Sequence, residues 1–498
     1  MQVRVQQGSI TDIAADALVV NLFEGITEPG GATGAVNQAL GGLIARLIAD
    51  GDIKGKHGEV TVLHPAGGIK AKRVAVVGLG KSGDFSMARV RQAAGAAARA
   101  LAKRGANSLA TIVHGAGIGG LDPAAAAQAT TEGTLLALFE TDQYKTADRE
   151  PSTLTECILV ERDAKKAALF TDAAVRGAAA ARATNFARTL QNEPPNQLTP
   201  TKFAERAAAM GREQGIETTV LGPAEIARLG MGALQSVAKG SQEPAQVVVM
   251  QWNGAKSGPR IGLIGKGVTF DSGGLSLKTG DGMMQMKYDM SGAAGVLGAM
   301  QLLATLKAPV RVLGVMPLTE NLPSGTATRP GDVVTALNGK TIEILNTDAE
   351  GRLILADALA YAAKEGCDIL LDAATLTGAC AVALGPVSTG VMGNDQGVVD
   401  AVLAAGVRTG EPMWQLPMFR EYRELLKSDI ADVKNIGGRE GGAITAAKFL
   451  EEFVGETRWA HLDIAPTAWA DDAKPWMAKG PTGVPTRTLV EAVLALSA

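Results

Sequence analysis

Short apolar, β-branched runs alternate with alanine-rich helical runs along almost the whole chain, and few folds accommodate that order. In the first third, MQVRVQQG, DALVVNLF, KRVAVVGLG, SLATIVHG and ECILVE read as strands. Between them, VNQALGGLIARLIADG and MARVRQAAGAAARALAKRG carry helical spacing. Strands that run in the same direction need a crossover, and these helices supply it, so a largely parallel sheet is expected. The later part repeats the grammar, with QVVVMQW, RIGLIGKGVTF, VRVLGVMPL, TIEILN and DILLDAATL as strands. GAAGVLGAMQLLATL and RLILADALAYAAKEG read as helices. Its strands are nearly continuous apolar runs, as expected where helices cover both faces of a sheet.

A chain of 498 residues exceeds one ordinary core. The alanine-rich stretch KKAALFTDAAVRGAAAARATNFARTLQN ends at the two prolines of NEPPNQLTP and reads as a helix between domains. The expectation is therefore α/β in two domains, residues 1–165 and residues 166–498, the second opening with a linker helix at about 166–192.

The net charge of -3 gives no polycationic signature for nucleic acid or an anionic membrane. Three widely spaced cysteines, Cys157, Cys367 and Cys380, argue against a disulfide framework and fit a reducing compartment. The first twenty residues lack a basic segment followed by an apolar one, and no uninterrupted apolar run is long enough to span a bilayer. A cytoplasmic protein is expected.

One motif is a decoy. GAGIGG at 115–120 follows a strand and precedes a helix, as a dinucleotide fingerprint does. The acid that should end a second strand about 20 residues later falls instead in TEGTLLALFETD, a helical stretch. A tight strand-to-helix turn is the better reading.

The informative charges lie elsewhere. NTDAEGRL at 346–353 places Asp348, Glu350 and Arg352 on a loop between a strand and a helix, where ligands bind in open α/β sheets. GKGVTFDSGGLSLK at 265–278 carries Lys266, Asp271 at a strand end and Lys278, and Asp289 follows just before a helix. Only four histidines occur, none at zinc-finger spacing, so any metal site must be built from carboxylates. Four acids gathered in one crevice repel one another, and two divalent cations would cancel their charge. Such oxygen-rich sites suit a two-metal centre with ions about 3.5–4 Å apart, which lowers the pKa of bound water from about 15.7 towards about 7. Taken singly, Asp271 or Asp289 would be read as a helix cap or loop charge. The set counts only if the fold gathers it.

Both segments resemble the leucyl aminopeptidase family, the cytosolic metalloexopeptidases of peptidase family M17. ARTLQNEPPNQLTP, ENLPSGTATRPGDV, TLTGA and HLDIA match it further along, in order and at similar spacing. The resemblance implies a small N-terminal macro-like α/β domain with a mostly parallel sheet. It also implies a larger catalytic α/β domain with a central mixed sheet flanked by helices. Lys266, Asp271, Asp289 and Glu350 would hold a tightly bound metal, and Asp271, Asp348 and Glu350 a more exchangeable one, the ions being zinc or manganese. Lys278 would stabilise the oxyanion, and Arg352 would hold a bicarbonate that shuttles the proton. Met286, Thr375 and Gly378 would line the pocket for the first side chain, and a methionine there suits leucine or another apolar residue. Pro466, after HLDIA, departs from the small residue usual in the family, which bears on that preference.

The activity so implied is removal of N-terminal amino acids from peptides with a free N-terminus, by attack of metal-activated hydroxide on the scissile carbonyl. A homohexamer, a dimer of trimers, is implied as well. Some members of the family also bind DNA, for which the mildly acidic composition gives no support. A two-metal phosphohydrolase would use similar carboxylates, and a catalytically dead homologue would be expected to have lost some of these ligands.

Overall fold

The computed structural model describes residues 1–117, 119–149 and 151–498. The chain divides into two compact units, one of Met1–Asn185 with Asp471–Lys479 and one of Phe186–Ala470 with Gly480–Ala498. The 29-residue helix Ala164–Asn192 contributes to both. No helix among the described residues is long and apolar enough to cross a membrane.

The first unit is built on six strands: β1 (Gln2–Gln7), β2 (Ala17–Phe23), β3 (Val60–Leu63), β4 (Arg73–Gly80), β5 (Ser108–Ile112) and β6 (Glu156–Glu161). They lie in the order β1-β6-β5-β2-β4-β3, parallel throughout except for β3 against β4. Along β2, Ala17 and Val19 join one apolar cluster, while Leu18, Val20 and Leu22 join another. Alternate side chains of a strand point to opposite faces, so the unbroken run reflects a sheet covered on both sides. The helix expected at VNQALGGLIARLIADG is two helices, Gly31–Ala39 and Leu43–Ala49. Gly41 and Gly42 between them take positive φ of 62° and 80°, which a continuing helix cannot use. Strand β3 was not among those expected, being four residues on an antiparallel edge.

The glycine motif at 115–120 leads to the helix Pro123–Ala137, capped by Asp122 accepting the Ala125 N–H at 2.8 Å. Its position 118 lies outside the described residues. A Cβ at Gly115 or Gly119 would stand 2.7 Å from the Phe85 ring. That ring packs edge-on against Phe23 with centroids 5.0 Å apart. These glycines make room for an aromatic side chain, consistent with the structural turn.

The second unit carries a nine-stranded mixed sheet. Its members are β7 (Glu217–Leu221), β8 (Gln246–Asn253), β9 (Arg260–Gly265), β10 (Gly267–Asp271) and β11 (Arg311–Asn321). A second sheet of three strands interrupts the numbering with β12 (Asp332–Thr335) and β13 (Thr341–Ile344). The larger sheet resumes at β14 (Ile369–Ala374), β15 (Thr389–Gly393) and β16 (Met413–Gln415). β17 (Val433–Lys434) completes the small sheet and β18 (Arg458–Asp463) the large one. The large sheet has the order β16-β15-β18-β14-β9-β11-β8-β7, with β10 added alongside β11. Strands β18, β14, β9 and β11 are mutually parallel, β8 runs against both β11 and β7, and β15 runs against β18 but parallel to β16.

Two local expectations change. RIGLIGKGVTF is two strands broken at Lys266, because the eleven-residue β11 serves β9 along Arg311–Val315 and β10 along Leu318–Asn321. At the break, the Lys266 N–H donates to the Ala373 carbonyl at 3.0 Å, and the Lys266 carbonyl accepts from the Ala293 N–H at 2.8 Å. TIEIL, before NTDAEGRL, belongs to the small sheet β12-β13-β17 rather than to the large one. NTDAEGRL is still a strand-to-helix loop, and it leads into the helix Gly351–Lys364.

Candidate functional site

The carboxyl ends of the parallel strands converge on one region. Lys266 follows β9, Asp271 ends β10, Asn321 ends β11 and Thr375 follows β14. Asp289 lies between the single turn Met286–Tyr288 and the helix Ser291–Thr305, and Glu350 is the residue before the helix Gly351–Lys364.

Lys266, Asp271, Asp289 and Glu350 are each no more than 4% exposed. The Lys266 Nζ lies 2.9 Å from Asp289 Oδ2 and 2.7 Å from Glu350 Oε1, and donates to the Thr375 carbonyl at 2.9 Å. The Lys278 Nζ lies 2.8 Å from Asp271 Oδ2 and 2.5 Å from Asp348 Oδ1. Thr375 Oγ1 donates to Asp289 Oδ1 at 2.7 Å. Carboxylate oxygens from Asp271, Asp348 and Glu350 all come within 4.8 Å of one another. The fold thus brings together all five sequence-predicted ligands and Lys278.

Gly351 explains how Lys266 reaches this position. A Cβ on Gly351 would stand 2.6 Å from Lys266 Nζ and 2.7 Å from its Cε, so any larger residue would require the Lys266 side chain to shift from where it crosses the start of the helix. Gly273 and Gly274, with φ of 86° and 64°, turn the chain sharply after Asp271 and return Lys278 to it.

The electrostatics are those of a crowded anionic site. Burial pushes the Asp289 carboxyl well above the usual carboxylate range, and Glu350 and Asp271 add to that by repulsion. Glu350 is raised by burial and then by Asp271, and Asp348 is raised chiefly by burial. Burial alone would depress both lysines. For Lys266 the attraction of Asp289, Glu350 and Asp271 outweighs it, and for Lys278 that of Asp271 and Glu350, so both are raised. Four carboxyl groups face two ammonium groups, so acids outnumber bases at the site.

These residues fit divalent cations. The donor set is oxygen-rich, as hard cations require. Glu350 Oε2 is buried and makes no hydrogen bond, an acceptor the protein leaves open. The ammonium groups already stand between pairs of carboxylates, marking where positive charge is needed.

Arg352 lies close by, 7% exposed, and donates from Nη1 to the Asn435 carbonyl at 2.7 Å. Burial lowers its pKa to about 10, against the pull of Glu350 and Asp463. Its Nε is buried without a hydrogen-bond partner. Of the remaining candidates, Thr375 joins the cluster directly. Met286 is half-buried one turn before Asp289, and Gly378 is exposed at the start of the helix Gly378–Leu384.

Sequence reasoning missed two asparagines. Asn435 accepts from the Leu345 N–H at 2.9 Å and donates to the Asn346 carbonyl at 2.7 Å, holding NTDAEGRL from behind. Asn321 donates to Asp271 Oδ1 at 2.8 Å and to the Thr347 carbonyl at 3.0 Å. A polar amide closing the long apolar run of β11 was the available signal.

The chain is similar to known proteins over almost its whole length. Residues 185–490 match the model of the cytosol aminopeptidase family catalytic domain, and residues 19–148 that of the family's N-terminal domain. The chain is 48% identical over 491 residues to a probable cytosol aminopeptidase of Solibacter usitatus, covering 98% of each. It is 47% identical over 457 residues to one of Acidobacterium capsulatum, covering 91% of this chain and 90% of that one. Among solved structures, a manganese complex of the bottromycin maturation enzyme BotP superposes with a TM-score of 0.86 at 37% identity, covering 97% of this chain and 100% of that one. A mutant tomato leucine aminopeptidase gives 0.89 at 32% identity, covering 99% and 96% respectively.

Proposed function

The chain belongs to the cytosol aminopeptidase family, an aminopeptidase and hydrolase, and on that premise we propose that it is a two-metal exopeptidase preferring leucine and other apolar N-terminal residues. The observation that carries this reading is the buried convergence of Lys266, Asp271, Asp289, Asp348, Glu350 and Lys278, with Glu350 Oε2 left open. The catalytic work is assigned to residues 166–498, and residues 1–165 form the accompanying domain.

In this reading Lys266, Asp271, Asp289 and Glu350 hold the tighter ion, and Asp271, Asp348 and Glu350 the exchangeable one, zinc or manganese. When bound, such a pair activates water at neutral pH and polarises a carbonyl. Lys266 serves as a ligand only as a neutral amine, a state that an adjacent cation favours. The remaining chemistry falls to the chain's own side chains. Lys278, with 18% of its side chain exposed, donates to the oxygen that becomes negative as the scissile carbonyl is attacked. Arg352, whose Nε has no hydrogen-bond partner, would hold a bicarbonate, which would supply proton transfer at the site. Thr375 fixes Asp289 and, with Met286 and Gly378, borders the pocket for the first side chain. The free α-amine of the peptide is drawn to the anionic cluster, which limits cleavage to the N-terminal residue.

The same reading carries a cytoplasmic location, peptide substrates with a free N-terminus and a homohexamer built as a dimer of trimers. The decisive experiment is hydrolysis of leucine p-nitroanilide by purified protein, before chelation, after it, and with Mn²⁺ or Zn²⁺ restored. Activity lost and regained supports the proposal, and chelator-resistant activity refutes it. Light scattering of the same sample tests the hexamer.

A further inference from the structure

Asn321 stands directly opposite Asp271 at the last paired position of β10 and β11. It is 4% exposed, so water does not compete for its amide. Both N–H bonds of that amide are used, one at 2.8 Å to Asp271 Oδ1 and one at 3.0 Å to the Thr347 carbonyl. Turning the amide over would set its oxygen against two acceptors, so the hydrogen bonds themselves fix the orientation. Asp271 Oδ1 also accepts the Gly273 N–H at 2.8 Å. One carboxylate oxygen is therefore occupied by two neutral donors, and Oδ2 is the oxygen that meets Lys278, at 2.8 Å.

We propose that Asn321 is a positioning residue for the metal centre, presenting Asp271 through Oδ2 only and setting the spacing between Asp271 and the Asp348–Glu350 loop. The inference rests on the two-metal reading above. The donors are neutral, so they orient Asp271 without cancelling the charge a cation needs, which an arginine or lysine in the same place would do. The second N–H ties the same amide to the residue before Asp348, so one side chain registers two ligand segments that lie 77 positions apart in the sequence (271 to 348). The main chain reinforces this, since the Asn321 carbonyl accepts from the Ser272 N–H at 3.0 Å and from Ser272 Oγ at 2.7 Å. The bland alternative is that the amide merely satisfies a buried carboxylate and contributes to stability alone.

Asn321→Asp separates the two. It keeps the shape of the side chain and turns the shared donor into an acceptor. Metal-depleted wild type and variant are titrated with Mn²⁺ by calorimetry, and thermal unfolding of both metal-depleted proteins is followed in parallel. The expected result is two ions bound by wild type, and about 10–100-fold weaker Mn²⁺ binding by a variant that still unfolds cooperatively. Asn321→Ser, which retains a hydroxyl donor, is read by the same criterion should Asn321→Asp not fold. It should lose less affinity than Asn321→Asp where both can be measured. Mn²⁺ affinity within about twofold of wild type, whatever the melting temperature, overturns the inference and leaves the metal centre standing. Wild type that binds no Mn²⁺ overturns both.

Discussion

The ammonium of Lys266 sits 2.7 Å from Glu350 Oε1, with both side chains no more than 4% exposed. The two come from strand and helix ends 84 positions apart in sequence (266 to 350), so the contact exists only in the finished fold. Breaking a buried pair from one side strands the other charge.

Removing Glu350 should accordingly abolish turnover. Glu350→Ala is expected to lose about a thousandfold or more in kcat/KM, a few kcal/mol of transition-state stabilisation. Steady-state kinetics with leucine p-nitroanilide, alongside metal analysis of the purified variant, checks this. Near-wild-type rates would sink the two-metal assignment.

Lys278 should matter to rate more than to metal content. Lys278→Ala removes a donor aimed at developing negative charge, worth about 10²–10³ in kcat. It also removes a cation from beside Asp271 and Asp348, so the metals should bind no more weakly than before. A large loss of bound metal with kcat otherwise preserved would reverse that assignment.

Arg352→Ala should be milder than Glu350→Ala, lowering kcat about 10–100-fold, the lower end of proton-transfer assistance. Added bicarbonate should accelerate wild type and leave the variant unchanged. A variant that responds to bicarbonate as wild type does would remove Arg352 from that role.

The second unit should lose stability as the solution is made neutral. Asp357 accepts from the Leu234 N–H and the Leu337 N–H, each at 2.8 Å, yet burial raises its pKa from 3.8 to about 7. A raised carboxyl means the folded state holds a proton that the unfolded state has released between about pH 4 and 7. Stability contributed by this group is thus fully present below that window and is lost as pH rises through it, with a slope of up to about 1.4 kcal/mol per pH unit. Denaturant melts of wild type and Asp357→Asn across pH 4.5–7.5 test this, and equal slopes would contradict it.

Gly351→Ala should damage the centre from outside its ligands. The new methyl would collide with the side chain of Lys266. Overpacking typically costs about 1–3 kcal/mol, so the expected result is a folded but less stable protein with markedly weaker metal binding. Calorimetric Mn²⁺ titration with wild-type affinity would show that Lys266 can move aside.

The α/β architecture was legible because parallel strands covered on both faces must be apolar along their whole length, as Ala17 to Val20 are. What escaped was structure that local pattern does not encode. Strand β7, ETTVL, is half solvated at an edge, and β3 is four residues long. TIEIL looks like any strand of the large sheet, and only its partners Asp332–Thr335 and Val433–Lys434 reveal another one. The acids and lysines of the proposed centre were legible because they lie in short segments at element ends, at 265–278, at Asp289 and at 346–353. Asn321 and Asn435 were not, since a lone amide carries no charge; only its place at the end of β11 marks Asn321, and the importance of both lies in what they touch.

The break at Lys266 bears on how this segment can change over generations. β9 and β10 address one long partner in succession, and the break at Lys266 together with the unpaired Thr269 inside β10 decides which way Asp271 points. Deleting one residue there would invert the alternation and carry Asp271 to the far face. The segment can therefore drift in letters but not in length: its count of residues is as much a part of the chemistry as the carboxylates it delivers.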